Sequence, residues 1–223
     1  MNNTKDKLEN ETPHFGNTLL GAVPSEVFNE DCITVMKRYH DKFFDLAVVD
    51  PPYGLGDKLT QGGTWASKYA KGDASWDIAP PAEYWEQLFR VSKNQIVWGG
   101  NYFGLPSNRC FIIWDKVAHM DTLADCEYAW TSFDRNAKIF KHVRNTSETR
   151  IHICQKPIKL YEWIFKIFAV EGNLILDTHL GSGSSRIAAN KAGLHFVGCE
   201  ISPAYFEAQE QRFKEFVSQL RMF

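Results

Sequence analysis

Residues 44–54 read Phe-Asp-Leu-Ala-Val-Val-Asp-Pro-Pro-Tyr-Gly. The run Phe44–Val49 is short and almost continuously apolar, the mark of a strand buried on both faces. It stops at Asp50, where Pro51 and Pro52 remove two backbone donors and forbid further ladder pairing. A second apolar run, Gln95–Trp98, follows a helix expected over Pro81–Val91. Leu174–Leu176 and His195–Cys199 are two more short strands, with a helix over Ser184–Lys191 between them. A strand-to-loop signal at Glu26–Phe28 precedes a helix over Ile33–Tyr39. Cys110–Trp114 and Glu127–Ser132 are expected to form an antiparallel edge. Pro157, at a helix N1 position, opens an apolar-periodic helix from Ile158, and a last helix runs over Pro203–Leu220. Strands alternating with helices predict an α/β three-layer sandwich around a mostly parallel sheet of about seven strands.

The 223 residues suit one domain, and such a chain buries roughly 70% of its unfolded surface without staples. With 44% hydrophobic and 23% charged residues, composition excludes disorder and collagen-like repeats. Lys and Arg total 25 against 27 Asp and Glu, so no global basic field exists and any nucleic-acid contact must be local. Residues 1–21 read as a loose polar tail without the apolar core of a signal peptide. Apolar stretches fall far short of the roughly 20 residues that span a bilayer, so no membrane partner is expected. Cys32, Cys110, Cys126, Cys154 and Cys199 are odd in number and scattered, which fits reduced thiols in the cytoplasm. His152 and Cys154 lie close together but lack a second ligand pair, so no metal site is expected.

Residues 174–186 read Leu-Ile-Leu-Asp-Thr-His-Leu-Gly-Ser-Gly-Ser-Ser-Arg: strand, acid, glycine loop, helix. Gly181 and Gly183 let the backbone turn sharply and approach a ligand closely. Glu200 ends the next strand, about 20 residues on, where an acid can accept hydrogen bonds from ribose hydroxyls. The pattern points to a nucleoside cofactor rather than a plain tight turn. A third glycine, expected for a nicotinamide dinucleotide, is replaced by Arg186, whereas Asp177 before the loop is more typical of S-adenosylmethionine sites.

Asp50-Pro51-Pro52-Tyr53 follows the most buried-looking strand, and α/β sheets place their chemistry at the carboxyl ends of strands. A carboxylate and a proline-fixed carbonyl can accept two hydrogen bonds from an exocyclic amine while Tyr53 stacks on its ring. Such an amine is a poor nucleophile because its lone pair is delocalised. Two acceptors favour a more tetrahedral nitrogen, a gain of orientation and electrostatics without a covalent intermediate. The bland alternative is a rigid turn that Asp50 merely caps.

From Val27 to Phe216 the chain resembles the amino-group DNA methyltransferases that depend on S-adenosylmethionine. The Asp-Pro-Pro-Tyr loop preceding the glycine loop resembles their circularly permuted β group. Asn29-Glu30-Asp31-Cys32 resembles the family's Asn-Gly-Asp-Cys, which implies that Asp31 contacts the cofactor adenine. His152-Ile153-Cys154-Gln155-Lys156-Pro157 resembles its His-Pro-Thr-Gln-Lys-Pro, placed beside the methionine end. Trp98-Gly99-Gly100-Asn101-Tyr102-Phe103 is similar to small phage-type adenine methyltransferases. The resemblance implies a Rossmann-like methyltransferase fold and methyl transfer to adenine N6 in DNA. Asp50, Pro51, Pro52 and Tyr53 would be catalytic. The implied cofactor set is Asp31, Cys32, Asp50, Lys156, Asp177, His179, Gly181, Ser182, Gly183, Ser184, Glu200 and Ile201. Thr178 and His179 replace the family's Pro-Phe, so His179 would pack on the cofactor where the Phe does. Cytosine N4 is the alternative target. No cysteine follows a proline, which excludes the cytosine-C5 mechanism. A nucleotide-binding oxidoreductase and a catalytically silent DNA-binding protein are the rivals from other classes.

A duplex base must be flipped out before its amine can be methylated, so phosphate contacts are required. Residues 134–150 carry Arg135, Lys138, Lys141, Arg144 and Arg150 against Asp134 and Glu148. They occupy the place of the family's target-recognition insert, although a solvated charged face explains such a run equally well. The segment is short, which implies short or relaxed specificity, or a homodimer whose second copy contributes. Residues 54–77 read as a mobile loop in which Lys58, Lys68 and Lys71 alternate with Trp65, Tyr69 and Trp76, as a nucleic-acid surface requires.

Overall fold

The computed structural model describes residues 24–56, 77–117, 124–143, 151–152 and 154–220. The expected tail at 1–21 therefore lies outside the described residues, as do most of the 54–77 loop, residues 144–150 and Ile153.

Among the described residues eight strands form one sheet: β1 (Ser25–Phe28), β2 (Phe44–Val49), β3 (Ser92–Trp98), β4 (Phe111–Asp115), β5 (Cys126–Thr131), β6 (Lys138–Lys141), β7 (Leu174–Asp177) and β8 (His195–Cys199). Their order is β1-β8-β7-β2-β3-β5-β4-β6. All run parallel except β5, which is antiparallel to both β3 and β4. The helices are α1 (Cys32–Met36), α2 (Ala82–Val91), α3 (Ile158–Phe168), α4 (Ser184–Lys191) and α5 (Pro203–Leu220). No helix of the described residues is long and apolar enough to cross a membrane.

Strand β2 shows why the apolar run decides the fold. Phe44, Ala47 and Val49 enter one core cluster with Val35 and Met36 of α1 and Tyr84, Leu88 and Val91 of α2. Leu46 and Val48 enter the other, with Leu160, Ile164 and Phe165 of α3 and Ala188 and Ala189 of α4. From Leu46 to Val49 alternate residues thus bury on opposite faces, and three layers result. Helix α5 lies against α4 through Ile187, Phe213 and Val217.

Some expectations need correction. The expected sheet of about seven strands has eight among the described residues, and the added strand, β6, lies inside the run read as a polar insert. Its apolar content is small: Phe140 packs against Trp163 at 5.2 Å, while Lys138, Ile139 and Lys141 are exposed. Parallel pairing with β4, which no hairpin turn announces, completes the edge. Helix α1 also stops at Met36, short of Tyr39. Past it the chain continues in a tighter turn, Arg38 and Tyr39 N–H donating to the Val35 and Met36 carbonyls, and the Tyr39 ring packs 4.8 Å from both Phe43 and Phe44. Pro157 is the N-cap of α3 rather than its first residue.

The chain leaves β7 through α4 toward β8, and leaves β2 through α2 in the opposite direction, toward β3. Between β7 and β2 the winding reverses, and their pairing covers only Leu46↔Ile175 and Ala47↔Leu176. A reversal of this kind opens a crevice at the carboxyl ends of the strands.

Candidate active site

Parallel direction gathers the sequence motifs along one sheet edge. Asp31, Glu200, Asp177, Asp50 and Gly99 lie at or just beyond the carboxyl ends of β1, β8, β7, β2 and β3. The reversed strand β5 begins at this edge, which brings Glu127 to it.

The proline loop is held from several sides. The Tyr53 hydroxyl donates to Asp50 Oδ1 at 2.9 Å. Lys156, only 4% exposed, donates to Asp50 Oδ2 and also pairs with Glu127 Oε2 at 3.2 Å. Glu127 Oε1 meets Lys116 at 2.9 Å. Burial opposes the Lys156 charge, but the Asp50 and Glu127 carboxylates outweigh it and raise its pKa above the usual lysine value. Burial would likewise raise the Glu127 carboxyl, yet the ammonium groups of Lys156 and Lys116 hold it at about 2.

The Trp98–Phe103 stretch builds the seat of Tyr53. Gly99 has φ +66°, and a Cβ there would stand 2.3 Å from the Tyr53 ring; one on Gly100 would stand 2.4 Å from Trp130 Cβ. Tyr102 stacks on Tyr53 at 5.0 Å, and Phe103 meets it edge-on at 6.0 Å. The loop beyond is tied at its root: the N–H groups of Gly54, Leu55 and Gly56 donate to the buried Asp77 carboxylate at 3.0, 2.6 and 2.8 Å.

Across the crevice, Asp177 is buried and accepts from the Ser185 hydroxyl at 2.5 Å and from His179 N–H at 3.1 Å. Burial pushes its carboxyl up to about 7 despite those donors. Thr178 Oγ1 shares hydrogen bonds with the Tyr84 hydroxyl at 2.7 Å and with His179 Nδ1 at 2.9 Å, tying the glycine loop to α2. Burial lowers His179 and His152 to about 4, so both imidazoles are neutral at pH 7. His152 packs edge-on against Tyr205 at 4.4 Å and lies 3.6 Å from the position of a Gly181 Cβ. Gly181 and Gly183 adopt φ +52° and +71°, the left-handed region that favours glycine.

Glu200 accepts from Gly181 N–H and Ser202 N–H, each at 2.8 Å, and burial raises its pKa. Ile201 beside it is 71% exposed, an apolar side chain facing open space. Arg212 donates to the Ser182 carbonyl at 2.7 Å and to Ser184 Oγ at 3.0 Å, so α5 braces the glycine loop. Asp31 caps α1, accepting from Thr34 N–H at 2.9 Å. Burial pushes the Cys32 thiol up to about 12, which keeps it neutral.

Among the described residues, the basic side chains expected to meet DNA lie in two places. Arg135 donates to the Ile167 carbonyl at 3.1 Å and lies over the Phe133 and Phe168 rings at 5.0 and 5.7 Å. It lies at the end of α3, at the edge opposite Asp50, with its side chain engaged by that helix end. Lys138 and Lys141 are exposed on β6, with Lys141 3.8 Å from Asp115. Lys58, Lys68, Trp76 and Arg144 lie outside the described residues. Sequence reading placed Lys156 beside the cofactor and missed Glu127 and Lys116; an acid at a core-facing position of an apolar strand was the available signal for Glu127.

Comparison with known proteins places this arrangement. A family model described as DNA methylase, N6_N4_Mtase, matches residues 82–211, more than half of the chain, and begins after the Asp-Pro-Pro-Tyr loop. The protein YubD of Escherichia coli (strain K12), named as a methylase, is 25% identical over 211 residues, covering 84% of this chain and 89% of its own. The structure titled as the M1.HpyAVI–SAM complex superposes with TM-score 0.57 at 18% identity, covering 84% of this chain and 99% of that one. The PvuII DNA methyltransferase, titled cytosine-N4-specific, gives TM-score 0.60 at 12% identity, covering 87% and 92%. These two likenesses establish the α/β methyltransferase fold. On the strength of the family match, the chain belongs to the N6/N4 DNA methylases.

Proposed function

We propose that this DNA methyltransferase transfers a methyl group from S-adenosylmethionine to the N6 amine of a flipped-out adenine in DNA. The observation that carries the proposal is the Asp50 carboxylate, fixed at the end of β2 by Tyr53 and Lys156 beside the crevice between β2 and β7.

The residues across that crevice fit the cofactor. Each Glu200 oxygen spends one lone pair on a backbone N–H and keeps another for a ribose hydroxyl. Ile201 offers an apolar surface to a flat base, and the Gly181–Gly183 turn allows close backbone approach. A structure titled as a SAM complex shares the fold, which supports the same choice. When bound, S-adenosylmethionine supplies an electrophilic methyl group on a sulfonium. Asp50 accepts a hydrogen bond from the target amine with a lone pair that Tyr53 and Lys156 leave over. Its fixed position favours the pyramidal nitrogen geometry in which the lone pair leaves conjugation with the ring and localises on the nitrogen. The Pro51 and Pro52 backbone holds the second acceptor, and Tyr53, seated on Gly99, presents an aromatic surface for the base. Asp177, neutral or charged near pH 7, adapts the buried crevice to a cation.

The adenine reading rests on the resemblance of Trp98–Phe103 to small phage-type adenine methyltransferases. The likeness to a cytosine-N4-specific enzyme favours the second reading, cytosine N4. Tritiated S-adenosylmethionine incubated with duplex DNA, followed by nucleoside analysis, separates them. Label in N6-methyldeoxyadenosine is expected; label in N4-methyldeoxycytidine selects the alternative, and no label in DNA removes both.

A further inference from the structure

The register of β3, β4 and β5 explains how charged groups come to lie under the catalytic loop. Trp98 faces Ala129 and Trp114 faces Glu127, so Trp98, Trp114, Glu127 and, two residues past Trp114, Lys116 share one face of the sheet. The two indoles form walls. Lys156 Nζ stands 5.1 Å from the Trp98 ring centre and Lys116 Nζ 5.5 Å from that of Trp114. Trp98 Nε1 is buried with no hydrogen-bond partner among the described residues, so that indole gives the cluster an apolar boundary rather than another bond. Within the walls the charges alternate: Lys116, Glu127, Lys156, Asp50, ending on the Tyr53 hydroxyl. They sum to zero, as a buried cluster requires.

We infer that Glu127 is a positioning residue for the target-amine site: it holds Lys156 in place, and Lys156 in turn fixes Asp50. The inference rests on the proposed methyl transfer for its kinetic consequence, and on geometry alone for the network. Lys156 has two carboxylate partners on different elements, one from the loop after β2 and one from β5. With Glu127 gone, the ammonium would be anchored at one end only and Asp50 would lose its fixed direction. The groups facing Lys156 are Asp50, Glu127, the Tyr161 hydroxyl of α3, the Trp98 ring and, from its own segment, neutral His152. Both carboxylates favour the charged ammonium, while burial disfavours it. Removing one carboxylate therefore moves the Lys156 titration toward neutrality.

The test uses the full chain with isotope-labelled lysine, the Lys156 signal being identified by its loss in Lys156→Met. In the wild type this signal should titrate above the ordinary lysine value of about 10.4. In Glu127→Gln it should titrate at least about one unit lower than in the wild type. Single-turnover methyl transfer should slow about tenfold in Glu127→Gln, with S-adenosylmethionine affinity unchanged. That rate should fall further as pH approaches the lowered Lys156 titration, at a pH where the wild type stays level. Glu127→Asp, which keeps the charge, should restore most of both. A wild-type Lys156 that titrates like a solvent-exposed lysine overturns the inference without any variant. So does a Glu127→Gln protein that is less stable but keeps the wild-type rate and pH profile. If the wild type moves no methyl group to DNA, the proposed activity fails, and the lysine titration still decides the network.

Discussion

Two aspartates end neighbouring parallel strands and live in opposite electrostatic worlds. Asp50, beyond β2, is bound by a lysine ammonium and a tyrosine hydroxyl. Asp177, closing β7, meets only neutral donors, a serine hydroxyl and a backbone N–H, and burial pushes it up to about 7. The sheet supplies the same kind of place twice, and side chains arriving from other elements make the two places different. Asp50 has the company of a cation that keeps an acceptor oriented. Asp177 has a carboxyl whose charge responds to what binds beside it.

The largest effect should come from Asp50. Asp50→Ala removes the oriented acceptor, which matters most in the transition state, so single-turnover methyl transfer should fall at least ~100-fold. Asp50→Asn keeps an acceptor oxygen and should fall between. Affinity for S-adenosylmethionine should survive, because Glu200 and Asp177 lie across the crevice. Near-wild-type turnover in Asp50→Ala would reduce the proline loop to a turn.

Glu200 comes next. It holds two backbone N–H groups and is assigned the ribose, so Glu200→Ala should weaken S-adenosylmethionine binding by about 1–3 kcal/mol. Calorimetry on the folded variant checks this, and unchanged affinity would place the ribose elsewhere.

Asp177 sharpens the contrast through pH. Its pKa is higher folded than unfolded, so the folded chain holds the extra proton between about pH 4 and 7. Stability from this group is greatest at the acid end and is lost as pH rises toward 7, at up to about 1.4 kcal/mol per unit. A bound sulfonium cation would favour the ionised form, so cofactor affinity should increase with pH across the same window. Denaturant unfolding at several pH values should show that slope reduced in Asp177→Asn, with the affinity trend flattened alongside it.

Much of this was legible because the deciding signals were local. An apolar run ended by two prolines, and a strand–acid–glycine–helix succession, fix where two strands end whatever surrounds them. The sheet edge was less legible. Strand β6 offers one half-buried aromatic in four residues, and its parallel partner β4 is 23 residues away in sequence between Asp115 and Lys138. The Lys156–Glu127 pair was invisible for a related reason. Strand β5 runs against its neighbours, and that reversal carries Glu127 to the edge that holds Asp50. Local pattern shows that an acid sits in an apolar strand; topology alone says which cation meets it. Within the basic run the described residues divide between a helix end, at Arg135, and an exposed strand, at Lys138 and Lys141, a division that charge pattern alone does not show.

That division gives the smallest prediction. Lys138 and Lys141 are exposed on β6, whose carboxyl end lies at the same edge as Asp50, whereas Arg135 is bound to the end of α3 at the other edge. Replacing Lys138 and Lys141 with Ala should weaken DNA binding alike on all sequences. The slope of log affinity against log salt should flatten by roughly 0.9 for each phosphate that the variant no longer neutralises. Arg135→Ala should leave that slope alone and lower thermal stability instead, since it removes a bond to a helix-end carbonyl and two cation–ring interactions. Equilibrium binding across a salt series, with melting of the same proteins, reads both arms. A slope that changes with Arg135 and not with the two lysines would put the DNA on the opposite edge of the sheet from the catalytic loop, a placement incompatible with methyl transfer at Asp50.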